Sequence, residues 1–156
     1  MKKIICLIFV LSLFFSCNRK DDSSVLYYVI DKYYNENKSS DLKIDLIKTM
    51  PFDWDSLFVF DYSTPPEEID SILNGKYGYY DEFCSKIIFV KNKKVIRYEI
   101  VPIKFQGIDP HGGGSLIKFP IDSDKNYVII GKQNSIFTVK KTINRLNEIC
   151  YELNNQ

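Results

Sequence analysis

The stretch SLFVFDYSTPPEEIDSILNG, residues 56–75, switches character halfway along. Leu57-Phe58-Val59-Phe60 is a continuous apolar run, the pattern of a short strand buried on both faces. Thr64-Pro65-Pro66-Glu67 then opens a helix. Thr64 suits the N-cap, Pro65 the first helical position, and Glu67 completes a capping box. Ile69, Ile72 and Leu73 form a core-facing stripe, and Asn74-Gly75 supplies the C-terminal stop.

Working outward, Ile87-Ile88-Phe89-Val90 leads into Lys91-Asn92-Lys93-Lys94, and Val95 to Val101 returns, which predicts a hairpin over 85–101. Tyr98 and Ile100 share one side of the returning strand with Ile96, while Val95, Arg97 and Glu99 take the other. Pro102 interrupts the ladder, and Ile103 to Phe105 can continue it after a bulge. Gly107 to Ser115 is a glycine-rich loop. Leu116 to Pro120 and Tyr127 to Lys132 read as a second hairpin around Asp122 to Asn126. Asn134 or Ser135 caps an expected last helix, whose stripe is Val139, Ile143, Leu146, Ile149, Cys150 and Leu153 at steps of three and four. On the other flank, Leu26, Val29, Ile30 and Tyr33 predict a helix over 25–34, and alternation in 41–48 favours a strand. The expected architecture is α+β: an antiparallel sheet of about five strands covered by two or three helices.

The amino terminus reads differently. In MKKIICLIFVLSLFFSCNRKDD, residues 1–22, a basic start precedes an apolar run from Ile4 to Phe15, broken only by Cys6 and Ser12. Ser16 and Cys17 follow, and the chain then turns polar. This is the layout of a secretory signal. The run is too short for a span of about 20 apolar residues. With a cysteine after the small residue, the segment resembles a bacterial lipoprotein signal, which implies that Cys17 becomes the lipid-bearing first residue of the mature chain. An ordinary signal peptide cut near a cysteine is the alternative. Lys20-Asp21-Asp22 resembles the Lys-acid-acid surface-export signal of Bacteroidota-type lipoproteins; solvated tether charges are the alternative. The division is a signal peptide over 1–16, a lipidated tether over 17–24 and a single domain over 25–156. The expected location is the outer membrane, lipid-anchored and surface-exposed, with its periplasmic face as the alternative.

Removing residues 1–16 from the 156 leaves 140, one domain's worth. Of 21 basic residues Lys2 and Lys3 leave with the signal, so 19 face 20 acidic ones. That near-neutral balance argues against a nucleic-acid binder, which shows a basic stripe. Alanine is absent, while Ile, Lys, Asn, Tyr, Phe and Asp abound. These residues share AT-rich codons, so the lysines and asparagines are not read as function. Cys84 and Cys150 remain in a compartment where disulfides persist; they are either a disulfide pair or two thiols behaving as small hydrophobes.

Phe52-Asp53-Trp54-Asp55, the strand that follows and Tyr62-Ser63-Thr64-Pro65 are similar to a Trp-Asp-strand-Tyr-Thr-Pro signature of small uncharacterised bacterial lipoproteins. Trp54 is expected as a core anchor with its indole N–H paired. Asp53 and Asp55 are either a carboxylate pair or turn residues. His111-Gly112-Gly113-Gly114 is similar to a lipase oxyanion loop, but the Gly-x-Ser-x-Gly elbow is missing and His111 is the only histidine. Asp122 to Asn126 has the opening spacing of a calcium loop, yet Tyr127 and Gln133 replace the required Gly and Glu. Tyr77, Tyr79 and Tyr80 lie between Gly75, Gly78 and Cys84 and can form a recognition surface or fold back over the helix at 65–74. No metal, cofactor or catalytic constellation is expected. The sequence therefore points to a non-enzymatic binding module anchored to the membrane at Cys17, with a protein or small ligand as partner. The alternatives are an anchored immunity protein against a toxin and a surface hydrolase using acidic residues.

Overall fold

The structure, a computed structural model, describes residues 24–37, 39, 42–75, 84–102, 115–144 and 147–155. The fold is α+β. In chain order the elements are helix α1 (Val25–Asn37), strand β1 (Lys43–Asp45), helix α2 (Leu46–Thr49), β2 (Ser56–Phe60), helix α3 (Pro66–Leu73), β3 (Cys84–Lys91), β4 (Lys94–Pro102), β5 (Ile117–Lys118), β6 (Tyr127–Gly131), β7 (Ile136–Ile143) and β8 (Ile149–Asn155). The strands form two sheets of four, ordered β1-β7-β8-β5 and β4-β3-β2-β6. All pairings are antiparallel except β5 with β8. The single sheet of about five strands expected from the sequence is thus two sheets.

The continuous apolar run of β2 has the cause its composition implies. The strand lies between β3 and β6, so neither edge is open. Leu57 and Val59 point into the main core with Ile87, Phe89, Val101 and Ile130. Phe58 and Phe60 point the other way, where they and Ile88 are covered by Ile69, Ile72 and Leu73 of α3. The helix starts one residue later than its sequence suggests. Pro65 is the cap and forms no side-chain capping bond. Thr64, expected as the cap, is buried and donates its hydroxyl to the Asn126 carbonyl at 2.9 Å, tying α3 to the chain before β6. Asn74 takes φ 53°, the left-handed stop that its sequence position predicts.

The β3–β4 hairpin forms as expected. Its turn residues Asn92 and Lys93 have φ of 50° and 62°, the positive values that a tight two-residue hairpin turn requires. A register irregularity falls between Phe89 and Val90; the bulge expected after Pro102 and the continuation over residues 103–105 lie outside the described residues.

Two expectations are corrected. The last helix is a hairpin, β7 with β8, in which Val139 pairs with Leu153, Thr142 with Cys150 and Ile143 with Ile149. Of the apolar residues spaced at three and four, Val139 and Leu153 reach the same core as β2, together with Tyr151, whereas Ile143 and Ile149 are exposed at the end of the hairpin. The second hairpin does not exist either. β5 runs parallel to β8 in one sheet, whereas β6 pairs with β2 in the other. The ambiguous segment at 41–48 divides into the short β1 and the single turn α2, whose cap Asp45 accepts from the Ile47 N–H at 3.2 Å.

Helix α1 joins the two sheets. Leu26 and Ile30 are fully buried between residues of both, and Tyr27 and Tyr34 pack tilted on the Tyr151 ring at 5.6 and 5.7 Å. At 25 cal/mol per Å², burying a Leu or Ile side chain contributes about 1.5–3 kcal/mol, so these contacts, rather than helix propensity, hold α1 in place.

Candidate functional site

The amino-terminal end of α1, where the chain arriving from Cys17 meets the fold, carries the most developed polar construction. An N-terminal helical turn leaves its first N–H groups without intrahelical partners. Here Ser24 Oγ accepts from the Tyr27 N–H at 3.2 Å and donates to Glu99 Oε2 at 2.7 Å. The same carboxylate oxygen accepts from the Leu26 N–H at 3.0 Å. The other, Oε1, accepts from Arg97 Nε at 2.6 Å. Glu99 is 5% exposed. A buried carboxylate is tolerated only when paired and hydrogen-bonded, and this one also meets the positive end of a helix. Arg97 lies over the Phe52 ring, 5.8 Å from its centroid. Glu99 therefore fastens the first turn of α1 to β4.

Further along α1, Tyr27 donates its hydroxyl to the Ile149 carbonyl at 3.0 Å, at the start of β8. Tyr151 donates to Asp31 at 2.6 Å, and Tyr33 donates to the Lys43 carbonyl at 3.2 Å. Burial above all, then the bond to Asp31, pushes the Tyr151 phenol well above the ordinary tyrosine value. The helix thus runs from the Ile143–Ile149 end of the β7–β8 hairpin towards β1.

Of the residues singled out in the sequence, Cys17, Tyr77, Tyr79, Tyr80 and His111 lie outside the described residues. Trp54 is a core anchor, 2% exposed and edge-on to Phe89. Its N–H departs from expectation: among the described residues it is the buried side-chain polar atom with no hydrogen-bond partner. Asp53 and Asp55 both engage the turn between β3 and β4. Asp53 forms an ion pair with Lys91 at 3.0 Å. Asp55 accepts from the Asn92 N–H at 2.7 Å and pairs with Lys132 at 3.4 Å. The Asn92 amide holds the Asp55 carboxyl below the usual carboxylate range, which suits a turn clasp and not a proton donor. Cys84 opens β3 in one sheet and Cys150 lies on β8 in the other; both remain thiols, so the disulfide considered for them is not formed. Burial pushes the Cys150 thiol up. In the Asp122 to Asn126 segment, Asp122 pairs with Lys125 at 3.3 Å, and among the described residues no group of three or more His, Cys, Asp or Glu is placed to hold a metal ion. No helix among the described residues is long and apolar enough to cross a membrane.

Sequence reasoning missed Glu99, Ser24 and Asp31. Glu99 gave no local signal: it shares its strand face with the exposed Arg97 as well as the buried Val101, and Ile96, Tyr98 and Ile100 make the other face the more apolar one. Comparison of the chain with protein-family models, with curated proteins and with solved structures finds no match.

Proposed function

We propose that the protein is a lipid-anchored binding module of the outer membrane, held through acyl chains on Cys17 and displayed at the cell surface. The observation that carries this reading is the placement of Ser16-Cys17 directly after the apolar run 4–15 and before an abruptly polar segment. A single acyl chain binds reversibly, whereas two or more hold a protein stably. The clasping of α1 by Glu99 supports the reading, because a tethered domain transmits every tug on its anchor through that first turn.

The test is metabolic labelling with an alkyne fatty acid, followed by protease treatment of intact cells. Wild type should incorporate the label and be cleaved from outside, and Cys17→Ala should do neither. An unlabelled wild-type protein defeats the anchoring; a labelled but protease-resistant one places it on the inner face.

A further inference from the structure

We propose that the Ile143–Ile149 end of the β7–β8 hairpin is a bilayer-contacting surface, which seats the domain on the membrane in one orientation. The proposal rests on the reading of Cys17 as the lipid-bearing residue.

Ile143 and Ile149 are directly opposite one another in the ladder. Ile143 is 67% exposed and Ile149 37%. A pair of exposed branched apolar side chains at a strand end stands out, since the other apolar pair on this face of the hairpin, Val139 with Leu153, is buried. The pair lies on the same face of its sheet as Val139, Tyr151 and Leu153, beside the amino-terminal turn of α1. The Tyr27 hydroxyl, one turn after Ser24, is bound to the Ile149 carbonyl. Tyr28 in that turn is 63% exposed, and tyrosine is a residue that suits a membrane–water interface.

The occupant follows from where the chain leads. Six residues, 18–23, separate Ser24 from the acylated cysteine, so seven residue steps join the two. Fully extended, seven residues reach at most about 25 Å, which is less than the breadth of a domain of this size, roughly 35 Å from its expected radius of gyration. The end of the fold that holds Ser24 is therefore kept close to the lipid surface, and it is the end that presents Ile143, Ile149 and Tyr28. Each contact is weak alone. With the anchor already in place, however, insertion is an intramolecular step at high effective concentration, so small apolar contacts suffice to fix orientation.

The strand supplies its own control. Ile136, at the opposite end of β7, is 47% exposed and lies roughly 24 Å away at 3.4 Å per residue. The full lipidated protein carrying Ile143→Trp, Ile149→Trp or Ile136→Trp is placed in phosphatidylethanolamine–phosphatidylglycerol vesicles whose acyl chains bear bromine near the headgroup. Trp54, buried in the core, gives a common background. Circular dichroism checks folding, and two positions in the patch guard against the failure of one variant. Tryptophan at 143 and 149 should be blue-shifted and quenched, and at 136 unchanged from unbrominated vesicles. Unquenched emission at 143 and 149 in a protein that is acylated at Cys17 overturns this surface and leaves the anchoring intact, as does equal quenching at all three positions. A preparation that carries no acyl group overturns both.

Discussion

Replacing Glu99 by Gln tests the clasp between α1 and β4 directly. Gln keeps the shape of the side chain and one acceptor oxygen. The wild-type carboxylate takes Ser24 and Leu26 on Oε2 and Arg97 on Oε1. An amide nitrogen must replace one of those oxygens, so it faces either the Leu26 N–H or the Arg97 Nε–H, donor against donor. Hydrogen bonds to a charged group contribute about 1.5–3 kcal/mol each. The Arg97 side chain is 41% exposed and regains water when released, which pulls the cost towards the lower end. We expect a loss of about 2 kcal/mol for Glu99→Gln. Glu99→Ala removes the acceptor from all three donors, leaves the Leu26 N–H and the Ser24 hydroxyl beside a buried void, and should cost about 3–4 kcal/mol. For a domain of this length about 3–5 °C per kcal/mol is expected, so the Gln variant should melt roughly 6–10 °C lower. Thermal unfolding followed by circular dichroism reads the magnitude. Amide exchange over the first turn of α1 reads the place, and a double-mutant cycle with Ser24→Ala reads the coupling. A Glu99→Gln protein within about 0.5 kcal/mol of wild type, with α1 still protected, would refute the reasoning.

Three further outcomes follow from individual groups. Tyr151→Phe removes the 2.6 Å bond to Asp31 and should cost about 1.5–2 kcal/mol at neutral pH. Because burial raises the folded-state value of this phenol, its stabilisation is complete below the ordinary tyrosine value of about 10 and is lost as pH rises through the raised one. Denaturant midpoints should therefore fall above about pH 10 in wild type and fall less in the variant. Asp55 behaves in the opposite sense: held low by the Asn92 amide, it stabilises above the ordinary carboxylate value and stops doing so as pH falls through the lowered one. Asp55→Asn should lower the midpoint at pH 7 and flatten the decline below about pH 4, as urea titrations across pH would show. Cys150, buried and with its thiol pushed up, should resist iodoacetamide in the native protein and react fully in denaturant, read by mass spectrometry.

The parts of the fold that were legible in the sequence are those decided by local chemistry. Leu57 to Phe60, Pro65-Pro66 and Asn74-Gly75 mark a strand, a helix start and a helix stop wherever they lie, and Asn92-Lys93 between two apolar runs marks a tight turn. The carboxy-terminal hairpin was not legible, because Val139, Ile143, Ile149 and Leu153 fit a helical stripe as well as one face of two paired strands. The composition of Ile136 to Ile143, rich in branched and aromatic residues, was the signal for strand. The partners of β5 and β6 depend on pairings with β8 and β2 far away in the chain, and no local pattern encodes them. Tyr77, Tyr79 and Tyr80 stood out for their chemistry alone. Glu99 became visible only with α1 packed over its strand, since its three donors come from residues at 24, 26 and 97.

The anchoring is tested most directly by mass spectrometry of the amino-terminal peptide of the protein purified from membranes. The account predicts a peptide that begins at Cys17 and carries the added mass of a diacylglyceryl group, with or without a further acyl chain on its amine. A mature chain that begins at any other residue, or at Cys17 with an unmodified thiol, would contradict it.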